Sequence, residues 1–219
     1  RRAALQAEIA KLQRKNKSGA AGAHSFKEEL KARLRVLRKL KYVTEEGTIT
    51  IKGRLACEVE ISDDLVVVEM LLKGAFNKAP VADVAAILSC QIVEEKNPSV
   101  IKQEERLREE LRIMKECKEE VSAAEVEFGL RQPDTADAIN TGMMDILHMW
   151  CSGAEFGEIC AQSDMFEGSI IRVMRRMSEL LKQLELGAAA IGDKDLEEKF
   201  KAVTAAMCRG VPFSSSLYV

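Results

Sequence analysis

The chain has 219 residues, of which 31% are charged and only 5% aromatic, with four Pro and a formal net charge of −2. That length can bury a sizeable core, and few aromatics beside plentiful Ala, Leu, Glu, Lys and Met favour an all-α protein. No apolar run approaches the roughly 20 residues needed to cross a bilayer and no signal-peptide pattern opens the chain, so the composition points away from a membrane.

The small net charge conceals an asymmetry. Residues 1–42 hold thirteen Lys/Arg against three Glu, a net of +10, which leaves −12 for residues 43–219. A basic leading segment suits nucleic acid or an acidic partner, although such helical arms are often merely solvated. The first residue is Arg, which predicts a piece of something longer. Residues 1–15 read as a charged helix whose Leu5, Ile9 and Leu12 make a thin stripe, suited to pairing with one other helix. Lys17 to His24 is a break, and Ser25 caps a helix from Phe26 to Lys41 with Leu30, Leu34, Leu37 and Leu40 as its period.

Thr44-Glu45-Glu46-Gly47 predicts a turn. Thr48-Ile49-Thr50-Ile51-Lys52 alternates β-branched with polar residues, as a half-buried strand does. Gly53 interrupts, and Leu55 to Ile61 supplies a second extended piece, so a small β-hairpin is expected near 48–60. A helix followed by a hairpin is also how a winged-helix unit ends, which makes a wing the second reading.

From Asp63 the pattern is helical. Asp63 or Asp64 caps Leu65 to Leu72, Gly74 to Ala79 connects, and Pro80 opens a helix through Ile92 that is apolar almost all round and belongs mid-bundle. Asn97-Pro98 breaks it. Residues 99–128 carry dense charge over a narrow stripe, as in a long edge helix, and 129–137 form another break. Met143 to Cys151 is a compact apolar helix. A short helix from Glu155 to about Ala161, a Gln162-Ser163 turn and a long helix make a helix-turn-helix arrangement. A last helix runs from Leu196 to about Cys208, and the tail from Val211 to Val219 is apolar enough to dock back. The expected division is a basic helical segment at 1–43, a hairpin or wing at 44–62, and a bundle of about seven helices at 63–219.

The long helix, 165–186, organises the rest. At about 100° per residue, Ile170, Val173, Met174, Met177, Leu180, Leu181 and Leu184 fall on one side. Arg172, Arg176, Glu179 and Gln183 line the other in a single row. Asp164 is the expected N-cap with Glu167 as its capping-box partner, and Gly187 the expected C-terminal stop. By periodicity alone the better reading is an ordinary surface helix with solvated charges.

Chemistry beyond binding is hard to find. No G-x-x-x-x-G-K-[ST] loop or DExH motif is present to hold a nucleotide or its magnesium. Cys57, Cys90, Cys117, Cys151, Cys160 and Cys208 form no C-x-x-C pair, which fits a reducing compartment. His148 and Cys151 share a helix face with Cys160 nearby in sequence, but a fourth zinc ligand is missing and core packing is the better reading. No catalytic, cofactor-binding or metal residue is expected.

Several collinear blocks resemble one family. They are Ile51-Lys52-Gly53-Arg54-Leu55-Ala56-Cys57-Glu58, then Glu69-Met70-Leu71 with Gly74-Ala75-Phe76-Asn77, and Ala86-Ile87-Leu88-Ser89-Cys90. Phe166-Glu167-Gly168-Ser169-Ile170-Ile171-Arg172 follows, then Ala190-Ile191-Gly192 and Ser216-Leu217-Tyr218. Together they are similar to the C-terminal DSHCT region of the exosome-associated DExH-box RNA helicases, from about residue 28 to the end, with a poorly matching insert near 97–140.

The resemblance implies an accessory domain of a 3′–5′ RNA helicase. Its ATP and Mg would sit in two RecA-like domains outside this chain. Residues 1–43 would return from a stalk-like arch, and 165–186 would be the ratchet helix beneath the RNA channel. Carried over by motif, Arg172, Arg176 and Glu179 would touch the translocating single strand, with Glu94 as a further contact. The implied partners are single-stranded RNA, the RecA-like domains, the RNA exosome and polyadenylation-complex adaptors, in the nucleus. Ser178, Gln162-Ser163 and Gly210-Val211-Pro212 depart from the family pattern. The other readings are a stand-alone helix-turn-helix or winged-helix module placing 165–184 in a DNA groove, and a purely structural bundle.

Overall fold

The computed structural model describes residues 26–92, 105–132 and 139–214. The expected helix at 1–15, the Ser25 cap, the Asn97-Pro98 break and the tail beyond residue 214 lie outside them, as does Glu94.

Helix α1 covers 26–39 and turns only its C-terminal half to the core: Val36 is buried and Leu37 and Leu40 pack beside it, while Phe26, Leu30 and Leu34 are exposed. Lys41 leaves it with φ 65°, a left-handed conformation uncommon for a residue with a side chain. Tyr42 then enters the core.

Here the hairpin expectation is overturned. The only β-pairing among the described residues is an isolated antiparallel bridge between Val43 and Ile49, and Ile51–Cys57 is a helix, α2. Thr50 is its N-cap, accepting from the Gly53 N–H at 3.1 Å, while the Thr50 hydroxyl donates to the Tyr42 carbonyl at 2.9 Å. A strand there would need one buried face, and its alternating members Ile49 and Ile51 are 50% and 65% exposed. Burial comes instead from Leu55 and Ala56 on the helical period. Gly53 is a close-approach position and not an interruption, because a Cβ there would collide with the Tyr42 carbonyl oxygen.

The rest is helical, as composition implied, and no strand occurs among the described residues. Helix α3 is Asp64–Leu72, capped by Asp63, which accepts from the Val66 N–H at 3.3 Å. Helix α4 is Val81–Ser89, buried from Asp83 onward, and it packs on α6 (Met144–Cys151) and α9 (Lys194–Met207) at the centre of the molecule. Helix α5, Arg108–Glu127, lies on the outer side of α3 with only a narrow buried stripe. Helix α7, Phe156–Ala161, opens on a reciprocal Glu155–Glu158 capping box. A 3-10 turn at Val211–Phe213 follows α9 and rests against the long helix α8, Glu167–Ile191. The described helices number nine against the eight expected there, and the addition is α2.

Both expected ends of α8 move. Phe166, not Asp164, occupies the N-cap position, and its side chain makes no capping bond. Gly187 is not a stop: the helix runs through it to Ile191 and ends at Gly192, whose φ of 79° is left-handed. Gly187 is buried where α2 crosses, and a Cβ there would strike the Leu55 side chain. A glycine needed for a helix crossing looks, in one dimension, like a glycine that ends a helix.

Candidate nucleic-acid interface

Helix α8 is divided along its length. Ile170, Val173, Met174, Met177, Leu180, Leu181, Leu184 and Ala188 are buried, and α9 and α2 cover that side. On the other side Arg172 and Glu179 are exposed and Arg176 half-buried. With a rise of about 1.5 Å per residue, Arg176 stands ~6 Å from Arg172 along the axis and Glu179 a further ~4.5 Å. The three sequence-selected residues therefore share one stripe of one rigid element, and the core behind them fixes its orientation.

Residues on and beside the row have partners within the fold. Gln183, the fourth member of the row, accepts from the Glu60 N–H at 2.9 Å and so fastens the chain after α2 to α8. Arg175 donates through Nε to the Pro212 carbonyl at 2.9 Å, holding the 3-10 turn. Arg172 Nη2 donates to Ser169 Oγ at 3.3 Å within the first turn. Ser178 is not on the outward row: it is only 8% exposed and donates to the Arg175 carbonyl at 2.8 Å. Its departure from the family pattern therefore leaves the charge of the row unchanged.

A second charged set was missed by sequence reasoning. Asp83, on the inner helix α4, is 5% exposed and pairs with Arg106, while His148 Nε2 of α6 lies 3.3 Å from the same Asp83 oxygen. Arg106 Nη2 also reaches His148 Nε2. Burial, then the adjacent Arg106 guanidinium, hold the His148 pKa below its ordinary value, so the imidazole is kept neutral. The signal in the sequence was Asp83 itself, because an acid inside an otherwise apolar helix requires a partner.

The other buried polar groups are also fasteners. Tyr42 donates to the Leu65 carbonyl at 3.0 Å and lies 3.2 Å from Glu69, which pairs with Lys52; burial and Glu69 push the phenol far up. Trp150 donates to the Met207 carbonyl at 2.8 Å, and Arg209 stacks on its ring at 3.8 Å. Burial raises the Cys151 thiol to about 12 and also raises the Cys160 thiol, so neither is a ready thiolate. Among the described residues no group of three or more His, Cys, Asp or Glu is placed to hold a metal. The α8 row is the candidate surface: two guanidinium groups and a carboxylate, chemistry that could meet phosphate, base edges or base faces.

The family model described as the DSHCT (NUC185) domain matches residues 46–214. The chain is 39% identical over 194 residues to the exosome RNA helicase MTR4 of Homo sapiens, covering 88% of this chain and 19% of that protein. It is 37% identical over 202 residues to mRNA transport homolog 4 of Caenorhabditis elegans, with 88% and 19% covered. To the DExH-box ATP-dependent RNA helicase DExH10 of Arabidopsis thaliana it is 35% identical over 222 residues, with 100% and 22% covered. The chain thus spans about a fifth of the length of these relatives.

Proposed function

The chain belongs to the DSHCT (NUC185) domain family, and from that premise we propose that it is the C-terminal accessory domain of an ATP-dependent 3′–5′ RNA helicase, with α8 turned toward the translocating strand. One observation carries the reading. Helix α8 is anchored by an unbroken buried face, and Arg172, Arg176 and Glu179 are left together on its outer face. Arg can stack on a base or pair with phosphate, and a carboxylate can accept from base amines while opposing a static phosphate clamp. That mixture suits a strand that must move.

Under this reading ATP and Mg bind in RecA-like domains outside this chain, α8 works as a ratchet helix, and Glu94, which follows the Leu88-Ser89-Cys90 segment in the sequence, is a further RNA contact. Residues 1–43 return from a stalk and 63–219 form the bundle. Relatives named as exosome RNA helicases support an exosome-linked role, and a nuclear location with polyadenylation-complex adaptors belongs to the same proposal.

The test compares Arg176→Ala and Glu179→Ala in the intact helicase. Strand displacement is expected to fall while basal ATP hydrolysis is retained, because these groups meet the strand and not the nucleotide. Both variants should melt far closer to the parent than a core truncation does, because neither side chain is part of the buried face of α8. Normal unwinding by both variants would make α8 a scaffold. Preference for duplex DNA over 3′-tailed RNA would instead favour a groove-reading helix-turn-helix.

A further inference from the structure

We propose that Phe166 is a stacking platform for an unpaired RNA base, adding one step to the Arg172–Arg176–Glu179 row; this rests on the reading of α8 as the RNA-facing helix. Phe166 is 79% exposed, more than any other large hydrophobic residue among those described. It occupies the N-cap of α8, where Ser, Thr, Asp or Asn would satisfy a free backbone N–H and Phe satisfies none. The position thus forgoes helix stability and also contributes nothing to the core. A residue that breaks a local rule without a structural return is a candidate for function.

The placement of the ring supplies the second observation. It lies over Gly168: a Cβ on Gly168 would stand 2.7 Å from Phe166 Cε1 and 3.2 Å from Cδ1. Only a residue without a side chain lets the ring rest there. Gly168 is one turn before Arg172, within about 40° of it around the axis and ~6 Å along it. The ring therefore tops the same stripe that carries Arg172, Arg176 and Glu179. Glu167, Gly168 and Ser169 bring no large apolar side chain to its C-terminal side and Met165 before it is partly buried against the core, so the ring is the exposed large apolar group at this end of α8, with Arg172 one turn beyond Gly168. A protein partner generally needs a broader apolar patch. A base with its phosphate needs one ring and nearby positive charge.

The experiment uses the intact helicase and single-stranded RNA carrying 5-iodouridine, with Phe166→Trp, Phe166→Leu, Phe166→Ala and Arg176→Ala. Stacking predicts that Phe166→Leu and Phe166→Ala each weaken RNA binding by about 5- to 150-fold, the range for losing one base–aromatic stack. Phe166→Trp should bind as the parent does, all Phe166 variants should melt normally, and irradiation should crosslink the RNA to residue 166. If Phe166→Leu binds like the parent, any apolar group suffices and base stacking is wrong. If Arg176→Ala weakens binding but both Phe166→Leu and Phe166→Ala do not, the platform fails while the RNA-facing reading stands. If none of the variants weakens binding, both fail.

Discussion

Two charged sets in this chain, each mixing basic with acidic side chains, stand on helices of opposite burial. Asp83, Arg106 and His148 meet around a carboxylate on α4, a helix buried almost all round. Arg172, Arg176 and Glu179 stand on the outer stripe of α8, a helix buried on one side only. A charge on a buried helix must find a partner within the fold, since desolvation is otherwise too costly. A charge on the outer side of a half-buried helix stays in reach of solvent and loses less hydration on folding. Residue type alone does not separate these roles; the width of the apolar face behind each residue does.

The strongest way to break the comparison is to attack the face that orients the row. Met177 is fully buried, next to Arg176 in the chain and on the core side of α8, so Met177→Ala should destabilise the bundle by roughly 2–5 kcal/mol. Urea denaturation should show this as a fall in midpoint with unchanged slope. If Arg176→Ala loses as much, the row is structural and the contrast with the Asp83 cluster disappears.

Next in size is Gly53→Ala. Ala favours a helix over Gly by ~1 kcal/mol, but the added Cβ meets the Tyr42 carbonyl oxygen, a backbone atom that cannot rotate away. Overpacking of that kind costs about 1–3 kcal/mol, so the variant should melt earlier than the parent. A gain in stability would mean that α2 and the Tyr42 segment do not approach as described.

The smallest effect belongs to the buried set itself. The folded pKa of His148 lies below its ordinary value near 6.5. As pH falls through about 6.5 the unfolded chain takes up a proton before the folded chain does, so stability declines until the folded pKa is passed. His148→Gln cannot titrate and should show a shallower loss between pH 7 and pH 5, read as the difference between the two melting curves. Parallel curves would mean that His148 ionises alike in both states, and that its meeting with Asp83 and Arg106 has no energetic consequence.

Much of this was legible in one dimension. Helix α8 could be read because seven apolar residues recur at the helical period, and that pattern also separates Arg172, Arg176 and Glu179 from the core. The inner helix at Val81–Ser89 and the cap of α3 at Asp63 follow from local chemistry in the same way, whereas Asp193, the cap of α9, reads in one dimension only as part of a turn. The errors were of one kind. Thr48 to Lys52 carries the alternation of a strand, yet Thr50 caps a helix whose buried residues are Leu55 and Ala56. Gly53 and Gly187 look like interruptions, yet each permits a close approach, to the Tyr42 backbone and to Leu55.

The sequence by itself determined the all-α class, the register of the long helix and which of its residues face outward, because these depend on periodicity within one element. Tertiary structure decided what the glycines are for, where α8 starts and stops, that Gln183 and Arg175 are fasteners, and that Asp83 gathers Arg106 and His148. It also laid Phe166 over Gly168 at the head of the row. Each of those depends on which distant residue arrives within a few ångströms, and no local pattern encodes that.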